Sequence, residues 1–115
     1  MTSNAPLYHK LYQLTKQLYL VVHNMPREYK YELGREMLHL SWSCLDLFFE
    51  ANSVENAKKK VKVQELSKNF DKLKLRLRMA QELRIVSEGR FSVLQKQYIL
   101  PAGKMIGGWL SWTYK

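Results

Sequence analysis

The sequence is poor in most of what organises small secreted or membrane-bound proteins. It has one cysteine, Cys44. A lone thiol closes no intramolecular disulfide, so a reducing compartment is expected. Three prolines and five glycines in 115 residues are few, as an all-helical chain with short turns would need. No apolar run approaches the roughly 20 residues required to cross a bilayer; the longest are Leu18–Val22 and Leu47–Phe49. Met1–Lys10 has neither a basic start nor an apolar stretch, so no secretory signal is expected and the cytoplasm is the expected location. The chain also has little acid, with ten Asp and Glu against nineteen Lys and Arg.

What is present is a core and a surplus of positive charge. The 46% hydrophobic content is too high, and too regularly spaced, for a disordered chain, and the length suits one domain over residues 1–115. The net charge of +9 predicts attraction to polyanions. Residues 58–90 hold eleven Lys and Arg and four Asp and Glu, which puts most of the surplus in under a third of the chain.

Hydrophobic spacing predicts four helices. In the first, about residues 5–25, Leu7, Leu11, Leu14, Leu18, Val21 and Met25 alternate steps of four and three along one seam. Asn4 can cap it and Pro6 suits its first turn; Tyr8, Tyr12 and Tyr19 widen the buried stripe. Pro26 ends it. The second helix, 27–51, carries one stripe of Leu33, Met37, Leu40, Cys44 and Leu47 beside another of Leu38, Trp42, Leu45 and Phe49. A helix apolar around most of its girth is either central or meets another subunit. The third, 57–87, buries Val63, Leu66, Phe70, Leu73, Leu77 and Ala80, and sets Leu75, Met79, Leu83 and Val86 near the opposite face. That two-sidedness predicts self-association.

Ser87-Glu88-Gly89-Arg90 is the expected last turn, and Ser92 with Gln95 has capping-box spacing for a fourth helix over 92–113. Leu94, Tyr98, Ala102, Met105, Trp109 and Trp112 mark its buried side. Pro101 is expected to kink it, because it forfeits a hydrogen bond to the carbonyl of residue 97. Gly103, Gly107 and Gly108 cost helix propensity, roughly 1 kcal/mol each, and close helix–helix approach is the expected compensation. No strand alternation or internal repeat appears. The fold class is all-α, an antiparallel up-down-up-down four-helix bundle.

Catalytic chemistry finds no support. His9, His23 and His39 lack the i, i+4 pairing of a helical metal site. Glu36 with His39 has Glu-x-x-His spacing but no second copy. Ser41 and Ser43 flank Trp42 within a helix, not at a nucleophile elbow, and Cys44 falls on an apolar stripe. The glycines form no phosphate-binding loop. Helical HEPN-type nucleases carry an Arg followed by His after four to six residues; here only three separate Arg35 from His39. No enzyme activity, cofactor, metal, membrane or small-molecule substrate is expected.

The basic block favours a binding surface. Lys58, Lys59, Lys60 and Lys62 crowd the start of the third helix, where its dipole disfavours cations. Lys68 with Lys72, and Lys74 with Arg78, are like-charge i, i+4 pairs, with Arg76 between. A merely solvated face alternates sign more evenly. Lys and Arg without a protruding aromatic suit phosphate contact better than base reading.

An ordered set of short motifs resembles a known family. These are Met25-Pro26-Arg27 leading to Leu33-Gly34-Arg35-Glu36-Met37, the apolar run Leu45–Phe49, Leu73-Lys74-Leu75-Arg76-Leu77-Arg78, and Gly103-Lys104-Met105-Ile106-Gly107-Gly108-Trp109-Leu110. Together they resemble the accessory variability determinants of diversity-generating retroelements, within the four-helix proteins related to those encoded in 23S rRNA intervening sequences. The Gly-[Lys/Arg]-x-x-Gly-x-Trp ending is the most specific element. The resemblance implies a basic, barrel-shaped pentamer that binds reverse transcriptase and RNA or DNA in support of mutagenic cDNA synthesis and retrohoming, without catalysis of its own. It implies nucleic-acid contact by the third helix, with Lys74 and Arg78 in the matching pair; Pro101 departs from the pattern. The rival expectation is an intervening-sequence protein with a structural or protein-interaction role and no retroelement. The residues expected at the subunit interface are Leu75, Met79, Leu83, Val86, Trp42, Phe49 and Trp109.

Overall fold

The computed structural model describes residues 5–115; the expected Asn4 cap lies outside them. Four long helices account for nearly all of it, and there is no strand among the described residues. Helix α1 is Ala5–His23. Helix α2 covers residues 27–53, as Arg27–Tyr29, a π-helical turn over Lys30–Gly34, and Arg35–Ser53. Helix α3 is Asn56–Glu82. Helix α4 covers residues 88–113, as Glu88–Leu94, a second π turn over Gln95–Ile99, and Leu100–Thr113. Each helix packs on its neighbours in chain order and α4 closes on α1. The bundle is an elongated body of 44 × 24 × 19 Å, close to the roughly 40 Å that a 27-residue helix spans.

The predicted seams become the core. Leu7, Leu11, Leu14 and Leu18 of α1, Met37 and Cys44 of α2, and Val63, Leu66, Phe70, Leu73 and Leu77 of α3 are buried, joined by Leu94, Ile99, Ala102 and Ile106 of α4. A hydroxyl contact crosses this core. Thr15 donates its hydroxyl proton to the Leu11 carbonyl (2.8 Å), so Ser41 is the donor in the 2.6 Å contact between Ser41 and Thr15. It ties α1 to α2 at buried positions.

Three junctions differ from expectation. The α3–α4 turn falls earlier, because α3 ends in a Schellman motif. Arg84 takes φ 62°, and Ile85 N–H reaches the Ala80 carbonyl while Arg84 N–H reaches that of Gln81. Gly89, expected in the turn, is inside α4. Ser87 rather than Ser92 caps that helix, accepting from Arg90 N–H at 3.1 Å. Pro101 is accommodated by the π turn one turn before it, which rearranges the backbone around the donor it lacks.

The glycine expectation is also corrected. A Cβ at Gly107 or Gly108 would meet nothing within 4 Å, and one at Gly103 would touch Phe70 at an ordinary 3.7 Å. The close approach is at Gly34 instead. In the first π turn a Cβ there would lie 2.7 Å from Val22 Cγ1 and 3.1 Å from Met25 Sδ. Only a hydrogen lets the end of α1 seat against α2.

Candidate nucleic-acid and assembly surfaces

Most cations of the basic block have acidic partners. Lys58 pairs with Glu55 (3.8 Å) and Lys74 with Asp71 (3.1 Å). Arg78 pairs with Glu82 (3.1 Å). Two partners come from α2: Glu50 accepts from Lys62 at 2.8 Å, and Glu36 accepts from Arg76 through Nε and Nη2, both at 2.7 Å. The Lys62 pKa is pushed up by its hydrogen bond to Glu50 and then by that carboxylate's charge. The partners across helices have no signature in the local spacing of α3, so a count along the chain overstates its free charge.

Lys59 leaves the candidate set. It is 4% exposed, and its Nζ donates to the Ala51 carbonyl (2.6 Å) and the Val54 carbonyl (2.9 Å). Those oxygens belong to the end of α2, whose last carbonyls have no helical partner. Lys59 therefore closes the α2–α3 corner and cannot reach a phosphate. Lys60 lies over the Tyr114 ring at 3.8 Å, where the ring quadrupole holds it without cancelling its charge. Lys68 and Lys72 are exposed and have no ion-pair partner among the described residues. Both line a 550 Å³ groove with Trp42, Asp46, Glu50 and Glu65, so carboxylates share even their surroundings.

The expected interface residues divide. Leu75, Met79 and Leu83 are 60%, 49% and 52% exposed, an apolar stripe on the outside of α3. Trp42 and Phe49 are exposed on α2. Trp42 Nε1 donates to the Tyr19 hydroxyl at 3.0 Å, and the Phe49 ring stands edge-on to Tyr8 at 5.6 Å. Tyr12 and Tyr19, expected in the buried stripe of α1, are exposed members of this aromatic surface. Trp112, expected inside, is exposed as well. Val86 and Trp109 go the other way, at 3% and 5% exposed. Val86 turns inward with the Schellman motif, and Trp109 packs edge-on to Phe48 at 5.7 Å. Both belong to the bundle's own core.

The nucleophile candidates of α2, Cys44 and Ser41, are buried. Cys44 is buried and burial pushes its thiol up to about 12, far from a reactive thiolate. Ser41 is buried in its bond to Thr15. Among the described residues no three His, Cys, Asp or Glu side chains converge as a metal site would need. No helix among them is long and apolar enough to cross a membrane.

A family model described as bAvd-like matches residues 7–113, which takes in all four helices. The chain belongs to the bAvd-like family. Its relatives are thus the bacteriophage and bacterial accessory variability determinants, a family of accessory, non-catalytic proteins. No match is found among curated proteins or among solved structures. The Gly103–Trp109 motif divides in space: Trp109 is in the core, while Lys104, Gly107 and Gly108 are exposed.

Proposed function

We propose that this bAvd-like chain is a non-catalytic accessory protein of a diversity-generating retroelement. It works as a homo-oligomer, a pentamer in the family's manner, that binds the element's reverse transcriptase together with RNA or DNA and supports mutagenic cDNA synthesis and retrohoming. The observation that carries this reading is the family match over residues 7–113. Two features of the surface support it. The exposed stripe of Leu75, Met79 and Leu83 and the exposed rings of Trp42 and Phe49 are the kind of apolar, partly aromatic side chains that subunit interfaces use. Lys60, Lys68 and Lys72 remain without carboxylate partners on α3, and Lys58, Lys62, Lys74, Arg76 and Arg78 can exchange exposed acid partners for phosphates at small cost.

The deciding experiment is genetic. Deleting the gene from a host that carries the neighbouring reverse transcriptase and repeat pair is expected to abolish template-repeat cDNA, and supplying it in trans restores it. Undiminished cDNA, or a genome with no reverse transcriptase beside the gene, overturns the reading in favour of an intervening-sequence-type structural bundle.

A further inference from the structure

All ten carboxylates of the chain lie between Glu28 and Glu88. Residues 5–23 and 89–115, which make up α1 and nearly all of α4, hold six Lys and Arg and no Asp or Glu; residues 24–88 hold thirteen against ten. The linear count along the chain pointed to α3. In space, α1 and α4, which pack side by side, hold five of the cations and a single acid, Glu88 at the first turn of α4.

The contacts of these cations differ in kind from those on α3. Lys10 Nζ donates to the Gln97 carbonyl at 2.9 Å and lies 5.7 Å from the Tyr98 ring centre. Arg90 donates to the Gln17 side-chain oxygen at 3.3 Å. Lys16 lies 6.0 Å from the Tyr12 ring centre. Every such partner is neutral, so each contact places the cation without cancelling it. An ion pair at about 3 Å looks neutral from one Debye length away, roughly 8–10 Å, whereas a cation on a neutral partner keeps its charge. Lys16, Lys96 and Lys104 are exposed.

Their order along the seam is fixed by the contacts across it. Arg90 meets Gln17 and Lys10 meets Gln97, so Arg90, then Lys10 with Lys96, then Lys104, follow one another down the bundle, with Lys16 level with Arg90 on the outer side of α1 beside Tyr12. Arg90 to Lys104 is about 21 Å of helical rise. One strand of duplex DNA presents a phosphate per roughly 3.4 Å of axis, so a backbone strand lying along this length offers about six phosphates to these cations. Gln13, Gln17 and Tyr98 lie alongside, and they supply neutral donors of the type that contact phosphate and sugar.

We infer that the face across α1 and α4, whose one side-chain carboxylate is Glu88 at its end, is a nucleic-acid backbone contact surface, separate from the basic block of α3. It rests on the nucleic-acid part of the function proposed above, and the test separates the two. The triple variant K16Q/K96Q/K104Q changes exposed side chains with no ion pair among the described residues, and K16R/K96R/K104R keeps the charge. Binding of a fluorescent RNA oligonucleotide is titrated from about 50 to 200 mM salt, with K74Q/R78Q on α3 alongside.

The expected result is at least a tenfold loss for the Gln triple and a salt slope shallower by about 2 to 3. The Arg triple is expected to match the wild type, and K74Q/R78Q to lose less than the Gln triple. Wild-type affinity and slope in the Gln triple overturn this inference alone. No RNA or DNA binding by the wild type overturns both it and the nucleic-acid part of the proposed function. Competition by poly-glutamate as strong as by RNA overturns the assignment to nucleic acid in favour of an acidic protein.

Discussion

Lys59 shows how a residue type can carry opposite meanings in adjacent positions. Lys58, Lys59 and Lys60 read as one basic cluster, yet the first is exposed, the second is buried on two carbonyls and the third covers a tyrosine ring. Nothing in the triplet distinguishes them. The corner does, because α3 begins where α2 leaves its last carbonyls unpaired, and one lysine stem is long enough to reach back. Lys59→Met keeps the stem and removes the donor. It is expected to lower stability by about 1–3 kcal/mol, the cost of leaving buried acceptors without a partner, and to leave the salt dependence of RNA binding unchanged. Lys58→Met, at a solvated i, i+3 pair, is expected to leave stability within about 0.5 kcal/mol. Urea denaturation of both variants, with an RNA titration of each, checks this; equal stability in the two would refute the capping role. Gly34 and Arg84 follow the same logic. Steric crowding explains the one, whereas the other holds a left-handed position where glycine is usual, and no local spacing rule distinguishes either.

At the scale of the helix, the buried faces were legible and the ends were not. A seam in steps of three and four depends only on helical geometry, so Leu7 to Leu18 and Val63 to Ala80 are inside as their spacing required. The end of α3 depends on a Schellman motif with Arg84 in place of glycine, and Gly89 is a more conspicuous turn signal than the residue that turns. This is why Val86, in register with Leu75, Met79 and Leu83 as a continued helix, is in the core while those three are exposed. The shortened stripe still has no occupant within the protomer. If neighbouring copies cover it, Leu75→Gln with Met79→Gln is expected to shift the protein to monomers in sedimentation velocity, with the secondary structure intact. Those side chains are half or more exposed, so the change removes little from the core. An unaltered sedimentation coefficient would take the α3 stripe out of the interface and leave Trp42 and Phe49 as its remaining candidates.

At the scale of the whole molecule, charge was legible as a total and misleading as a location. A sequence lists neighbours along the chain, and the partners that neutralise α3 include Glu36 and Glu50 from α2, which become neighbours only when the bundle forms. The same assembly brings α1 and α4 together with five cations on the pair and one acid, Glu88. This has a consequence for stability opposite in sign to that for binding. The five ion pairs have solvated partners, and such pairs contribute about 0–1 kcal/mol each. Against them stands the mutual repulsion of an unpaired surplus of +9, part of it held at short range along the α1–α4 seam. Salt screens both, but the repulsion has no compensating contact, so its loss dominates. The melting temperature is therefore expected to rise by about 3–5 °C as sodium chloride is raised from low to physiological ionic strength, while affinity for RNA falls over the same range. In K16Q/K96Q/K104Q the low-salt melting temperature should already be higher and the rise smaller. Scanning calorimetry of both proteins across the salt series decides it. A wild-type melting temperature that falls with salt would mean that the ion pairs of α2 and α3 outweigh the repulsion across α1 and α4.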